Sequence, residues 1–194
     1  LLNIQSIIRQ GDLLSTEAQT YARLRFIDGG EIVLRPLSQF RVDSYQYKLA
    51  EPEKDNVVFR LLKGGLRAVT GLLGKRSRDK IEFRTATATI GIRGTNLGMQ
   101  ECAADCQDIP TIDGNPPADG LYVDVASGEI LVRNDGGEQI VGAGQFAFVP
   151  SPQDPPRLVS PEEGIQVTMP QSISNNNAEG RSVGGSERDT QCMF

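Results

Sequence analysis

Residues 85–96 are Thr-Ala-Thr-Ala-Thr-Ile-Gly-Ile-Arg-Gly-Thr-Asn, and this stretch decides the fold. Threonines occupy one face of the stretch, while alanines and isoleucines occupy the other. A period of two is the pattern of a β-strand, and small side chains let neighbouring layers of backbone approach closely. We therefore predict a strand that turns a corner near Gly91–Gly94, because glycines inside strands mark bends and bulges.

The rest of the 194-residue chain follows the same rhythm of short alternating runs separated by glycine turns. Two alternating runs, at residues 20–27 and 121–132, are each followed by Asp-Gly-Gly, a strong tight-turn signal. Short strands of this kind are typical of stacked β-coils or of a rolled sheet. We predict one all-β domain over residues 1–170, built as a β-solenoid or rolled β-sheet.

The composition excludes several classes of function. The chain contains no histidine, which is the commonest general base and metal ligand. A nucleophilic site that depends on histidine cannot be built, and a zinc site would have at most three cysteines. The net charge of −5 argues against a general nucleic-acid binder. No apolar run approaches the ~20 residues that a membrane-spanning helix needs.

Positive charge is concentrated between Arg60 and Arg84, a segment that contains eight basic residues and two acidic ones. A solvated surface segment is the simpler interpretation, and the alternative is a basic patch that meets an acidic surface of another subunit or of a partner. The candidate partner-contact residues of this segment are Arg67, Lys75, Arg76, Arg78 and Lys80.

Residues 101–120 interrupt the strand rhythm and are predicted to be an inserted loop with two cysteines, three prolines and five acids. Cys102 and Cys106 are close enough to form a small disulfide ring in a secreted protein, which would leave Cys192 unpaired or available for an intermolecular bond. The three possible pairings cannot be decided from the sequence. The acids follow no calcium-loop spacing, and we expect a solvated loop.

Residues 171–194 form a tail rich in Asn, Ser and Gly, with little to bury. This composition alone predicts disorder, and an ordered tail would indicate contact between subunits.

Several further features resemble one protein family. Gly64-Gly65-Leu66-Arg67 precedes the motif Thr-x-x-Ala-x-Ile-x-Ile-Arg-Gly-Thr, and a Gly-Gln pair follows at 144–145. Together they resemble the FecR domain family over roughly residues 10–150. The motif positions are Thr85, Ala88, Ile90, Ile92, Arg93, Gly94 and Thr95. Arg93-Gly94-Thr95 could be an exposed recognition turn, or a structural turn in which Arg93 bridges neighbouring segments.

The resemblance implies a periplasmic or extracytoplasmic β-module. The best-known members are membrane-spanning regulators that relay a transporter signal to a sigma factor. Since this sequence has no apolar run that could span a membrane, we interpret the domain as a stand-alone secreted module.

Two functions follow from these features. The first is a non-enzymatic extracytoplasmic structural protein that self-associates into a homo-oligomer or filament through β-edge and tail contacts, because solenoid ends recruit other chains. The alternative is a periplasmic sensing or scaffold module that binds an envelope protein by strand addition. Neither hypothesis assigns catalytic residues, a metal or a cofactor.

Overall fold

The computed structural model describes residues 5–77, 79–109, 114–170 and 173. These residues form an all-β fold, as predicted. A 3₁₀ helix at Pro52–Lys54 and a short helix α1 at Leu72–Arg76 accompany the strands. The strands are β1 Leu13–Ser15, β2 Ala22–Arg25, β3 Glu31–Leu34, β4 Gln39–Gln46, β5 Asn56–Val69, β6 Ile81–Arg84, β7 Thr89–Ile92, β8 Asn96–Cys102, β9 Gly120–Ser127, β10 Glu129–Asn134, β11 Gly137–Gly142, β12 Phe146–Val149 and β13 Arg157–Val159.

The long strand β5 belongs to two sheets. Its first half pairs with β4 and β6, and its second half pairs with β3 and β8. Sheet A has the order β1-β4-β5-β6-β7-β10-β11, and sheet B has the order β2-β3-β5-β8-β9-β12-β13. At the bend, Gly64 has a φ of +79°, and a Cβ there would lie 2.5 Å from Ser38 Oγ. Only glycine fits this combination of conformation and close approach. The glycine pair Gly64-Gly65 therefore forms a bend inside one continuous strand.

The strand pairing forms a barrel-like sheet. Among the described strand pairs, only β5 with β6 is parallel. Stacked solenoid coils pair in parallel along their length, so the predicted solenoid differs from the observed arrangement. The two sheets curl around one core, and its fully buried side chains include Ile90, Ile92, Leu97, Met99 and Ile130. Burying each such side chain contributes about 1.5–3 kcal/mol.

The Thr/Ala stretch begins as a turn and becomes a strand only at Thr89. The Thr85 hydroxyl accepts hydrogen bonds from the N–H groups of Thr87 and Ala88, at 3.0 and 3.1 Å. This local capping holds the segment out of the sheet. The predicted strand was therefore placed to begin four residues too early, at residue 85. The predicted corner near Gly91–Gly94 is confirmed, since Gly94 has a φ of +72°.

A C-terminal strap, residues 164–169, packs on the outer face of sheet B. Ile165 and Val167 of the strap are buried against Tyr122, Phe148 and the Cys102–Cys106 disulfide. The predicted tail at 171–194 lies outside the described residues apart from residue 173, so its contacts and the predicted domain boundary stay predictions.

Candidate partner-binding face

The outer faces of the two sheets differ in accessibility. The strap and the disulfide loop cover much of the outer face of sheet B. On sheet A, by contrast, the outward side chains of β10 and β11 remain accessible, and Ile140 is 50% exposed. We therefore take the outer face of sheet A as the candidate binding surface.

Four arginines lie in one row across this face. Arg41 on β4 is opposite Arg60 on β5, and Arg60 is in register with Arg84 on β6. Thr89 on β7 separates Arg84 from Arg133 on β10. We call these four arginines the arginine row. The cross-strand register, and not proximity in sequence, brings them together.

Each half of the arginine row shares one carboxylate. Asp43 accepts hydrogen bonds from Arg41 Nε and, at 2.8 Å, from Arg60 Nε. Glu82 accepts from Arg84 Nη2 at 2.9 Å and from Arg133 Nη2 at 2.8 Å. Two guanidinium groups share each of these carboxylates, and Glu138 lies opposite Arg133 at one end of the row, so the row as a whole keeps a net positive charge.

The Asp43 pKa reflects this environment. Burial acts to raise the pKa of the Asp43 carboxyl, but the hydrogen bonds and charges of Arg41 and Arg60 outweigh it, so the pKa lies below its ordinary value. The carboxylate therefore stays ionised over the physiological range and keeps both arginines in place.

A groove opens beside the arginine row above Gly91. It has a volume of about 110 Å³. A Cβ on Gly91 would find its nearest neighbour, the Leu131 carbonyl oxygen, at 3.9 Å, so the space is open. Gly91 is opposite Leu131, which is opposite Ile140, and this gives the groove an apolar side. The residues that line it are Asp79, Ile81, Glu82, Gly91, Arg93, Leu131 and Arg133.

The Arg93-Gly94-Thr95 turn serves mainly as structure. Arg93 Nη1 donates to Glu129 Oε1 at 3.3 Å, and its Nε lies 3.9 Å from Asp79. Thr95 N–H donates to Thr70 Oγ1 at 2.9 Å. Arg93 thus bridges neighbouring segments, as the structural interpretation expects, while its side chain also lines the groove.

The predicted partner-contact residues occupy different environments. Arg67 is paired with Asp124 on the outer face of sheet B, and Arg76 is paired with the buried Asp55. These two side chains therefore work inside the domain. Lys75 and Lys80 are exposed, and Arg78 lies outside the described residues.

The cysteines are placed as one of the predicted pairings requires. Cys102 and Cys106 form a disulfide with a Cα–Cα distance of 5.5 Å, and both residues are buried. Cys192 lies outside the described residues.

Glu101 is an ionisable group buried at one end of the core. Its Oε1 accepts a hydrogen bond from the Thr87 hydroxyl, and its Oε2 is buried without a hydrogen-bond partner. Burial raises the pKa of the Glu101 carboxyl, although the hydroxyl groups of Thr87 and Thr85 oppose the shift. Within the described ranges, no three His, Cys, Asp or Glu side chains are grouped to hold a metal ion.

Sequence reasoning missed Arg41, Asp43 and Arg133, and with them the arginine row. The sequence does indicate that these side chains point outward, because they alternate with apolar residues such as Phe40 and Val42, which are buried in the structure. The alternation does not specify the register between distant strands, so the row could not be predicted.

Comparisons with known proteins agree with this architecture. The family model described as FecR protein matches residues 12–131. A search of curated proteins found no match. Within the part of the chain that the structure describes, no helix has the length and apolarity to cross a membrane.

Two similar solved structures are each a putative anti-sigma factor from Parabacteroides distasonis ATCC 8503. The first, at 2.50 Å resolution, has a TM-score of 0.56 and 14% identity, and the alignment covers 80% of this chain and 61% of that one. The second, at 1.65 Å, has a TM-score of 0.54 and 12% identity, with 87% and 65% covered. This chain therefore spans less than two thirds of the length of either structure, and the likeness concerns the fold.

Proposed function

Because the chain belongs to the FecR protein family, we propose that it is a non-enzymatic sensing or scaffold module outside the cytoplasm that binds a protein partner of the cell envelope. The similar solved structures are those of putative anti-sigma factors, which supports a regulatory setting in which proteins bind proteins.

The outer face of sheet A carries this proposal. It combines exposed positive charge in the arginine row with an open groove above Gly91 and the exposed Ile140. Protein interfaces commonly place an apolar anchor in a pocket and surround it with polar and charged groups, among which arginine is enriched. This face has both parts, while the corresponding face of sheet B is covered by the strap.

The disulfide supports a location outside the cytoplasm. Disulfides persist in oxidising compartments such as the periplasm and are rare in the reducing cytosol. Cys102 and Cys106 are both buried, which protects the bond once it has formed.

Self-association into a filament has less physical support. The open coil ends of a solenoid would favour it, but the sheet curls into a barrel-like form, and the edge strands β1, β2 and β13 have only three or four residues each. On β11, the Gln139 side chain donates to the Ile140 carbonyl, and the Gly142 N–H donates to Gln145 Oε1. Short and capped edges oppose pairing with further strands.

A groove-filling variant tests the proposal. Gly91→Val adds a side chain to the open space and suits a strand, so the fold should be retained. Envelope extracts are passed over immobilised wild type, Gly91→Val and the control Thr168→Val, which alters an exposed strap residue. We expect wild type and control to retain one protein at fixed stoichiometry and Gly91→Val to lose it.

Two results would contradict the proposal. One is equal retention of that protein by all three forms at equal thermal stability. The other is concentration-dependent growth of the purified wild type in light scattering without any retained partner, which would favour self-assembly.

A further inference from the structure

We infer that the arginine row selects an acidic, extended segment of the partner protein. This inference rests on the proposed function and specifies which chemistry the outer face of sheet A recognises.

The first argument is that the fold does not need the arginine row. Like charges directly opposite each other on neighbouring strands destabilise a sheet. Arg41 is nevertheless opposite Arg60, and Arg60 is in register with Arg84. Asp43 and Glu82 reduce this repulsion, and together with Glu138 opposite Arg133 they supply three negative charges for four positive ones. An arrangement that costs stability and remains exposed is expected where the charge is used for recognition.

The second argument concerns the donors that remain available. Arg133 uses Nη2 for Glu82, and its Nε and Nη1 have no acceptor among the described residues. A guanidinium group presents N–H donors in a rigid fork that matches a carboxylate with two hydrogen bonds. The shared carboxylate holds each arginine in place, so less side-chain entropy is lost when a ligand carboxylate binds.

The third argument is one of dimensions. Neighbouring strands are about 4.8 Å apart, so the four strand steps from Arg41 to Arg133 span roughly 19 Å. An extended peptide rises about 3.3 Å per residue, and six residues cross this distance. Alternate side chains of such a peptide point to the same face at intervals of about 6.6 Å, so acidic residues at alternate positions face the row without matching each arginine one to one.

The surroundings favour a peptide over a continuous polyanion. Glu129 and Glu138 flank the row on β10 and β11, and they repel a chain that carries charge at every unit. The groove above Gly91 and the exposed Ile140 offer a site for one apolar side chain, which a peptide supplies and a sulfated polysaccharide does not. The expected ligand is therefore a run of alternate acidic residues that contains an apolar residue.

Fluorescence anisotropy with labelled synthetic peptides tests the inference. The probe is Glu-Thr-Glu-Thr-Val-Thr-Glu, in which the valine shares a face with the glutamates, and its control has glutamine at each glutamate position. The protein forms are wild type, Arg84→Gln/Arg133→Gln, and the control Lys48→Gln/Lys54→Gln, which removes the same charge from two exposed lysines that share Glu51. Melting temperatures verify that all three forms are folded.

We expect wild type and the lysine control to bind the acidic probe. The arginine variant should bind it about tenfold more weakly, as the loss of charge-assisted hydrogen bonds implies. Wild-type affinity should fall as salt rises. Equal binding of both peptides, equal weakening by the lysine control, or stronger binding of a sulfated polysaccharide of equal charge would overturn the inference. If the retained envelope protein requires an open Gly91 groove but binds the arginine variant normally, the inference fails while the proposed function stands.

Discussion

Arg67 and Asp124 together clamp the C-terminal strap to sheet B. Both terminal nitrogens of Arg67 donate to Asp124 Oδ1 at 2.9 Å, and Asp124 Oδ2 accepts the Val167 N–H at 2.9 Å. Arg67 Nη1 also donates to the Val167 carbonyl at 2.9 Å. Side chains from two strands therefore satisfy both backbone groups of one strap residue, which needs no strand partner there.

Breaking this clamp should be costly. Arg67→Met leaves Asp124, whose side chain is 5% exposed, without its counter-ion, and removing one partner of a buried pair costs about 3–5 kcal/mol. Urea unfolding measures the loss. Arg93→Met, which breaks a half-exposed pair with Glu129, should cost no more than about 1 kcal/mol. Similar losses in the two variants would contradict this role for the clamp.

Replacing Gly98 or Gly91 by alanine should change the stability of the domain in opposite directions. A Cβ on Gly98 would lie 2.0 Å from Asp124 Oδ2 and 2.6 Å from Val167 Cβ, so Gly98→Ala should destabilise the domain by about 1–3 kcal/mol and loosen the strap. Gly91→Ala meets open space and should be neutral or stabilising by up to about 1 kcal/mol. Thermal unfolding of both variants checks the contrast, which equal shifts would refute.

Glu101 should make stability fall as pH rises. Its folded-state pKa is raised above the ordinary value of 4.5, so its favourable contribution is complete below pH 4.5 and is lost as pH passes through the folded-state pKa. Glu101→Gln removes this pH-dependent loss of stability. At pH values above the folded-state pKa of Glu101, the variant should be more stable than wild type by on the order of 1 kcal/mol. Urea unfolding from pH 4 to 8 measures the difference, and a difference that does not change with pH would disprove it.

Asp43 provides a control of opposite sign for the pH series. Its folded-state pKa is lowered, so its contribution is present above the ordinary value of 3.8 and is lost as pH falls through the folded-state pKa. Asp43→Asn should therefore be less stable than wild type at neutral pH, and the gap should close in acid.

The disulfide should add stability and resist reduction in the folded protein. A loop as short as the one between Cys102 and Cys106 contributes about 2 kcal/mol in the chain-entropy model, so Cys102→Ser/Cys106→Ser should lose about that amount. Because both residues are buried, dithiothreitol followed by alkylation should shift the mass only after denaturant is added. Rapid reduction of the native protein would contradict this protection.

Local patterns in the sequence predict much of the fold. The alternation around Ile90 and Ile92 predicts the buried face of β7, and the Asp-Gly-Gly segments coincide with turns after β2 and after β10. These features depend on residues close together in sequence, and for this reason they can be predicted.

The binding face and the clamp depend on contacts between distant residues. Arg67 and Asp124 are 57 positions apart, and nothing near either residue specifies its partner. Arg67 and Arg76 are close together in sequence, but one pairs with Asp124 and the other with Asp55, and their spacing does not reveal either partner. The strap was likewise unpredictable, because its burial requires Gly98 on another strand.

The fourteen residues of β5 also determine how the domain comes apart. Arg60 and Arg67 lie on this one strand, in sheet A and sheet B respectively. The first half of β5 forms backbone hydrogen bonds in sheet A and the second half forms them in sheet B. Pulling the two sheets apart therefore requires breaking the backbone hydrogen bonds of β5. We therefore expect the two sheets to unfold as a single cooperative unit, because the backbone that carries Arg60 of the arginine row continues directly to Arg67, the anchor of the C-terminal strap.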